Sequence, residues 1–317
     1  MKTGKTWRSA AEMPVLDGMT AVVTGANSGL GFVTARELAR KGAVVVLACR
    51  SASRAAEAVE TIAAEVPEAK DRLEVLPLDL ADLASVRAFA TAFSDAHDGL
   101  DILVNNAGVM ALPERRTADG FEMQMGTNHL GHFALSALLA PALLARPGAR
   151  VVTVSSGMHA VGRPNPADLR GEHGKYRKWS AYGAAKSANL MFTAELARRA
   201  DAAGVALLSL AAHPGYAATN LQTAGAKMTG DTRRERIMDA ANRLIATSAE
   251  AGAVPQLYAA TAPGVDNGTF YGPRFAMWGP PAATPRAPWV KHESANRTLW
   301  TASEAATGVR WPEPLGD

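Results

Sequence analysis

The apolar run Thr20–Thr24 passes directly into Gly25-Ala26-Asn27-Ser28-Gly29-Leu30-Gly31, and a helical pattern begins at Leu30. Three glycines between a strand and a helix leave few folds open. The loop has to turn tightly and admit another group against its main chain, while the helix behind it offers unpaired N–H groups and the positive end of its dipole. A junction of this kind is built for an anion.

The rest of the chain repeats the strand-to-helix alternation. Apolar, β-rich runs occur at Val44–Ala48, Leu73–Leu78, Ile102–Asn105, Arg150–Ser155 and Val205–Ala211, with a late one at Gly268–Tyr271. Helical patterns fall at Leu30–Lys41, Ser53–Val66, Leu83–Ala96, Gly120–Leu144 and Ala181–Ala203, the third preceded by Asp82 as a cap. This order predicts βαβ units, and the nearly continuous apolarity of the strands predicts a parallel sheet covered on both faces. A glycine loop that opens such a series binds the pyrophosphate of a dinucleotide.

Composition excludes several other classes. Of 317 residues, 48% are hydrophobic and 20% charged, which is globular material. The net charge of +3 comes with no run of five basic residues, and Arg233-Arg234-Glu235-Arg236 reads as a solvated helix face, so no nucleic-acid partner is expected. The single cysteine, Cys49, forms no intrachain disulfide and fits a reducing, cytoplasmic setting. Residues 1–14 lack the apolar core of a secretory signal, and the longest apolar run, Phe133 to Ala145, is too short for a membrane span. His129, His132, His159 and His213 have no metal-ligand spacing, so no metal is expected.

At the end of the second strand stands Ala48-Cys49-Arg50. A carboxylate there would bond the adenosine ribose 2′-hydroxyl and repel a 2′-phosphate, whereas Arg50 supplies donors suited to phosphate. NADP(H) is the expected cofactor, with NAD(H) the alternative. Asp79, closing the third strand with Leu80 after it, faces the adenine or caps the helix nearby.

Downstream, Tyr182-Gly-Ala-Ala-Lys186 sets a phenol and an ammonium one helical turn apart. The ammonium would favour the phenolate and bring proton exchange toward neutrality.

With the glycine loop, Asn105-Asn106-Ala107-Gly108, Asn128, Ser155-Ser156, Tyr182-x-x-x-Lys186 and Pro214-Gly215 in this order, the chain resembles the short-chain dehydrogenase/reductase family over residues 17 to 271. Ala48-Cys-Arg50, Asn128-His-Leu-Gly-His-Phe133 and Ser187-Ala-Asn-Leu190 are most similar to its retinol-dehydrogenase-like and protochlorophyllide-reductase-like branch. The resemblance implies a single-domain Rossmann-type α/β fold, a doubly wound parallel sheet with helices on both faces. It implies Tyr182 as general acid/base and Lys186 as the group that lowers its pKa and holds the nicotinamide ribose. Asn128 would anchor a water relaying protons, and Ser156 would bond the substrate oxygen. Gly25, Asn27, Ser28, Gly29, Leu30, Gly31, Arg50, Asp79, Leu80, Asn105, Ala107, Gly108, Pro214, Gly215 and Thr219 would join Tyr182 and Lys186 around the cofactor. A homo-oligomer through the helices at Gly120–Leu144 and Ala181–Ala203 is also implied.

Ser156 and Tyr182 stand 26 residues apart, about twice the family's usual spacing. The polar, proline- and glycine-rich stretch 158–179 therefore reads as an insertion near the mouth of the site, with 213–230 as a substrate loop. Residues 1–16 read as an N-terminal extension and 272–317 as a C-terminal extension packed on the same domain. Four of the six tryptophans (Trp278, Trp289, Trp300, Trp311) fall in that tail, as staples to the core or as part of a pocket wall. The expected reaction interconverts an alcohol and a carbonyl on a small molecule, bulky and lipophilic if Met110, Met158 and Tyr216 line the pocket. Reduction of a conjugated C=C bond, or cofactor binding without turnover, are the alternatives.

Overall fold

The computed structural model describes residues 7–215 and 248–316. Strand and helix alternate from the start: β1 (Thr20–Thr24), α1 (Gly29–Arg40), β2 (Val44–Cys49), α2 (Ala52–Glu65), β3 (Leu73–Pro77), α3 (Leu83–Ala96) and β4 (Ile102–Asn105). Then come α4 (Met123–Met125), a π turn (Gly126–Leu130), α5 (Gly131–Leu138), α6 (Ala140–Leu144), β5 (Ala149–Val154), α7 (Lys178–Ala203) and β6 (Leu207–Ala212). The later part holds α8 (Ala249–Thr261), β7 (Phe270–Pro273), β8 (Pro281–Ala283) and α9 (Glu293–Thr307).

The strands form one sheet in the order β3-β2-β1-β4-β5-β6-β7-β8. From β3 to β7 every pair is parallel, and β8 closes the edge antiparallel to β7. This is a doubly wound Rossmann-type sheet. The eighth strand has no β-branched residue to announce it, and Pro281 is tolerated because an edge strand needs fewer ladder N–H groups. The winding reverses between β1 and β4, so a crevice opens at the carboxyl ends of these neighbours.

Period-two alternation distributes the strand residues between two helix layers. Ala21, Val23, Val45 and Leu47 pack with Val33 and Leu38 of α1, Ile62 of α2 and Leu257 of α8. Val22 and Val46 point the other way, into a core with Phe89 and Phe93 of α3, Phe133 of α5 and Phe192 of α7. Asp82 caps α3 as the sequence predicts, its Oδ1 accepting from Ala84 N at 2.9 Å.

The single helix expected over Gly120–Leu144 is instead three helices and a π turn. Glu122 caps the first, accepting from Gln124 N at 2.9 Å and Met125 N at 2.7 Å. Pro141 opens the last, in the first turn, where its missing N–H costs nothing.

The C-terminal residues lie against α5 and α7. Trp300 is 2% exposed and Trp311 3%, and their rings gather with Phe133 and Phe192. The Trp289 indole N–H donates to Ser187 Oγ on α7 at 2.7 Å. Among the described residues, no helix is long and apolar enough to cross a membrane.

Candidate active site

A cleft of about 510 Å³ runs along the carboxyl edge of the sheet, a volume suited to a small organic ligand. Gly25, Asn27, Ser28, Gly29, Leu30 and Gly31 form one end. Gly25 (φ +67°) and Gly29 (φ +55°) occupy the left-handed region that other residues avoid. At Gly31 the constraint is space: a Cβ would come within 2.4 Å of Gly25 O and 2.6 Å of Asn106 Nδ2. The loop is thus folded tightly on itself, with the N-terminus of α1 behind it.

Arg50 and Arg54 reach the same end from the carboxyl terminus of β2 and the first turn of α2, and both are solvent-exposed. Cys49 is buried beneath them, its thiol pKa pushed up by burial. Asp79 and Leu80 line the neighbouring wall. Asp79 does not cap α3, since its Oδ1 accepts from Ala81 N at 3.0 Å.

After β4 the alternation matters residue by residue. Asn105, expected at the cofactor, is fully buried, and its Nδ2 donates to Ser136 Oγ at 2.9 Å. Its successor Asn106 lines the cleft instead and donates from Nδ2 to Thr24 O at 2.8 Å. Ala107 and Gly108 line it as expected. A Cβ at Gly108 would lie 3.0 Å from Asn128 Oδ1 and 3.5 Å from Lys186 Nζ, so both polar groups converge on this glycine.

Asn128 sits in the π turn, buried behind the cleft wall. Both ends of its amide engage Val109: Oδ1 accepts from Val109 N at 2.8 Å and Nδ2 donates to Val109 O at 2.9 Å.

Ser155, Ser156, Tyr182 and Lys186 all line the middle of the cleft. Ser155 Oγ donates to Lys186 O at 2.7 Å and is thereby occupied, whereas the Ser156 hydroxyl stands beside the Tyr182 phenol. Burial pushes the phenol up to about 12, Ser156 acting against that shift. Lys186 is brought down to about 8 by burial, and its Nζ donates to Val154 O at 2.9 Å. The ammonium lies 5.9 Å from the Tyr182 ring centroid. Burial thus moves the two groups in opposite directions, the phenol above its ordinary value and the ammonium below its own.

Pro214 and Gly215 complete the far wall. Thr219 and Tyr216, like most of the expected loop 213–230, lie outside the described residues. Met110 and Met158 line the mouth, joined by Trp179, which the sequence reading missed. Trp179 is 43% exposed, and its ring stands edge-on to Tyr182 at 6.4 Å. Its place in the first turn of α7, three residues before Tyr182, was the available signal. None of the four tail tryptophans lines the cleft. Among the described residues, no group of three His, Cys, Asp or Glu side chains is placed to hold a metal.

Retinol dehydrogenase 14 of Mus musculus is 38% identical over 303 residues, spanning 93% of this chain and 87% of its own. Polyprenol dehydrogenase of Mus musculus is 44% identical over 255 residues, spanning 79% of this chain and 74% of its own. The crystal structure of an uncharacterized protein from Mycobacterium paratuberculosis has a TM-score of 0.79 at 43% identity, covering 97% of this chain and 100% of that one. The model of the short chain dehydrogenase family matches residues 19–229. With an open glycine loop, a paired serine and phenol and a buried lysine along one cleft, the chain belongs to the short-chain dehydrogenase/reductase family of NAD(P)-dependent oxidoreductases.

Proposed function

We propose that this protein uses NADP(H) to interconvert an alcohol and a carbonyl on a bulky, lipophilic small molecule, with Tyr182 as the general acid/base. The observation that carries this reading is the placing of Ser156 beside the buried Tyr182 phenol at the middle of the cleft, with Lys186 one turn behind.

The glycine cradle fits a dinucleotide, because the close approach at Gly31 and the left-handed Gly25 and Gly29 leave main chain exposed to a pyrophosphate. Arg50 and Arg54 would take a 2′-phosphate, since among the described residues neither has a hydrogen-bonded carboxylate and no acidic residue ends β2. Asp79 and Leu80 would border the adenine, Asn106 to Gly108 and Lys186 the ribose, and Pro214 and Gly215 the nicotinamide. When bound, the nicotinamide supplies or accepts the hydride.

Tyr182 and Ser156 act on the substrate oxygen. As negative charge develops there during carbonyl reduction, two hydroxyl donors already in place stabilise it, and Tyr182 delivers its proton. A phenol pushed up to about 12 carries that proton at neutral pH and can deliver it to the substrate oxygen. Lys186 stays close behind the phenol in a dry setting, where its charge acts with little screening. Met110, Met158 and Trp179 give the mouth an apolar lining, which supports a bulky, apolar group beside the reacting carbon.

Purified protein with NADPH and a graded panel of aldehydes and ketones tests this, with products identified by chromatography. The reading predicts alcohols as products, with rates rising as the apolar group grows. Saturation of a conjugated C=C bond, or tight NADPH binding with no carbonyl turnover, would overturn it.

A further inference from the structure

His132 on α5 does not line the cleft, yet it is 2% exposed and both of its ring nitrogens are engaged. Nε2 lies 2.9 Å from Thr24 Oγ1, and Nδ1 lies 3.0 Å from the main-chain oxygen of Asn128. The Thr24 hydroxyl already accepts from Asn106 N and Ala107 N, each at 2.9 Å, so both of its lone pairs are used. Its own proton therefore goes to His132 Nε2, the alternative acceptor Val104 O being farther away at 3.4 Å. A neutral imidazole that accepts at Nε2 carries its hydrogen on Nδ1 and donates it to Asn128 O. Burial keeps the ring neutral, and the titratable groups that bear on it, Lys186 and His129, act the same way.

This chain of donors starts at the root of the glycine loop and ends in the π turn. Thr24 is the last residue of β1, immediately before Gly25. Asn128 is fixed at both ends, its amide by Val109 and its carbonyl by His132, and its Oδ1 converges with Lys186 Nζ on Gly108. A π turn frees main-chain groups from the ordinary helix ladder and so needs partners of this kind.

We propose that His132 is a positioning residue for the reaction: by bridging Thr24 and the Asn128 carbonyl, it sets the glycine loop and the Lys186–Tyr182 pair at a fixed spacing. The proposal rests on the alcohol/carbonyl reading above for its kinetic arm only. His132→Asn puts an amide N–H near the place of Nδ1 and keeps the bond to Asn128 O, whereas His132→Gln puts its amide near Nε2 and keeps only the Thr24 side. Both are polar and leave Thr24 and Asn128 intact.

The test compares kcat, KM and the pH profile of carbonyl reduction, NADPH affinity by fluorescence quenching, and the thermal midpoint in both variants. His132→Asn, which keeps the bond to Asn128 O, should stay within about threefold of wild type in kcat. His132→Gln should lose about 10- to 100-fold in kcat with KM little changed, and its kcat limb near pH 8 should shift. NADPH affinity should fall by about 3- to 10-fold in His132→Asn alone, the variant that releases Thr24 at the root of the glycine loop. Equal losses in both variants with an unmoved pH limb would show that the histidine only fills space, and would overturn the proposal. If wild type turns over no carbonyl, the reaction reading fails separately, and the NADPH contrast between the two variants decides for or against His132.

Discussion

Trp300 on α9 stacks on Phe192 of α7 with ring centroids 5.9 Å apart and planes 15° from parallel. The Arg199 guanidinium lies over the Trp300 ring, 4.5 Å from its centroid. The C-terminal helix thus packs against α5 and α7, the helices for which the family resemblance implied self-association.

Replacing Trp300 by alanine should therefore cost about 3–5 kcal/mol, read as a lower urea midpoint. Truncation before Glu293 should uncover Phe133 and Phe192 and produce larger species on sizing columns. A truncated protein with unchanged midpoint and size would show that the tail contributes little.

Lys186 illustrates a conflict between stability and function. Its pKa is lowered from 10.5 to about 8 by burial, so the folded state disfavours the charged form. The resulting cost is absent above the unfolded value, grows as pH falls from about 10.5 to 8, and is fully present below that. Lys186→Met removes it, and Val154 O retains Asn189 Nδ2 at 3.2 Å as a donor. The variant should gain about 1–3 kcal/mol at pH 7 while losing at least about 100-fold in activity. Chemical denaturation at pH 7 and above 10.5 checks this, and a gain that does not shrink at the higher pH would contradict the cause.

Three buried histidines predict acid sensitivity. Burial lowers His129 and His213 to about 4 and His132 to about 3, against 6.5 when unfolded. The unfolded chain therefore binds protons that the folded one refuses, and stability falls as pH drops below about 6.5. Each histidine contributes up to about 1.4 kcal/mol per pH unit across its window. Thermal midpoints measured from pH 7 to 4 should fall steeply below pH 6, and a flat profile would contradict the assignment.

Arg50 and Arg54 define the cofactor test. Arg50→Ala combined with Arg54→Ala should weaken NADPH binding by about 10- to 100-fold and leave NADH binding nearly unchanged. Isothermal titration with both cofactors distinguishes this from a general loss of affinity, which would place the arginines elsewhere.

Local pattern carried the sheet and its helices because both periods are strong in this sequence. α3 runs from Leu83 to Ala96, as Asp82 and the apolar spacing predict. Tertiary bonding decided what the pattern could not. Nothing in the apolar stretch 120–144 marks the π turn, which Asn128, His132 and distant Val109 hold in place. The glycine loop, Ser156, Tyr182 and Lys186 were legible because their spacing is tied to strand ends and one helical turn. The choice between Asn105 and Asn106 was not, since it depends on which way the chain turns as it leaves β4. Trp179 escaped notice because its pocket position depends on how the 158–179 stretch returns to α7.

The central claim, proton transfer by Tyr182, is tested most directly by Tyr182→Phe. NADPH affinity and thermal midpoint should stay near wild type, since the ring remains and the Ser156 hydroxyl keeps Met158 N at 3.2 Å as a partner. Single-turnover reduction of a carbonyl substrate that wild type accepts should slow by about 10²- to 10⁴-fold. A Tyr182→Phe protein that binds NADPH normally and reduces the same carbonyl at the wild-type rate would contradict the account.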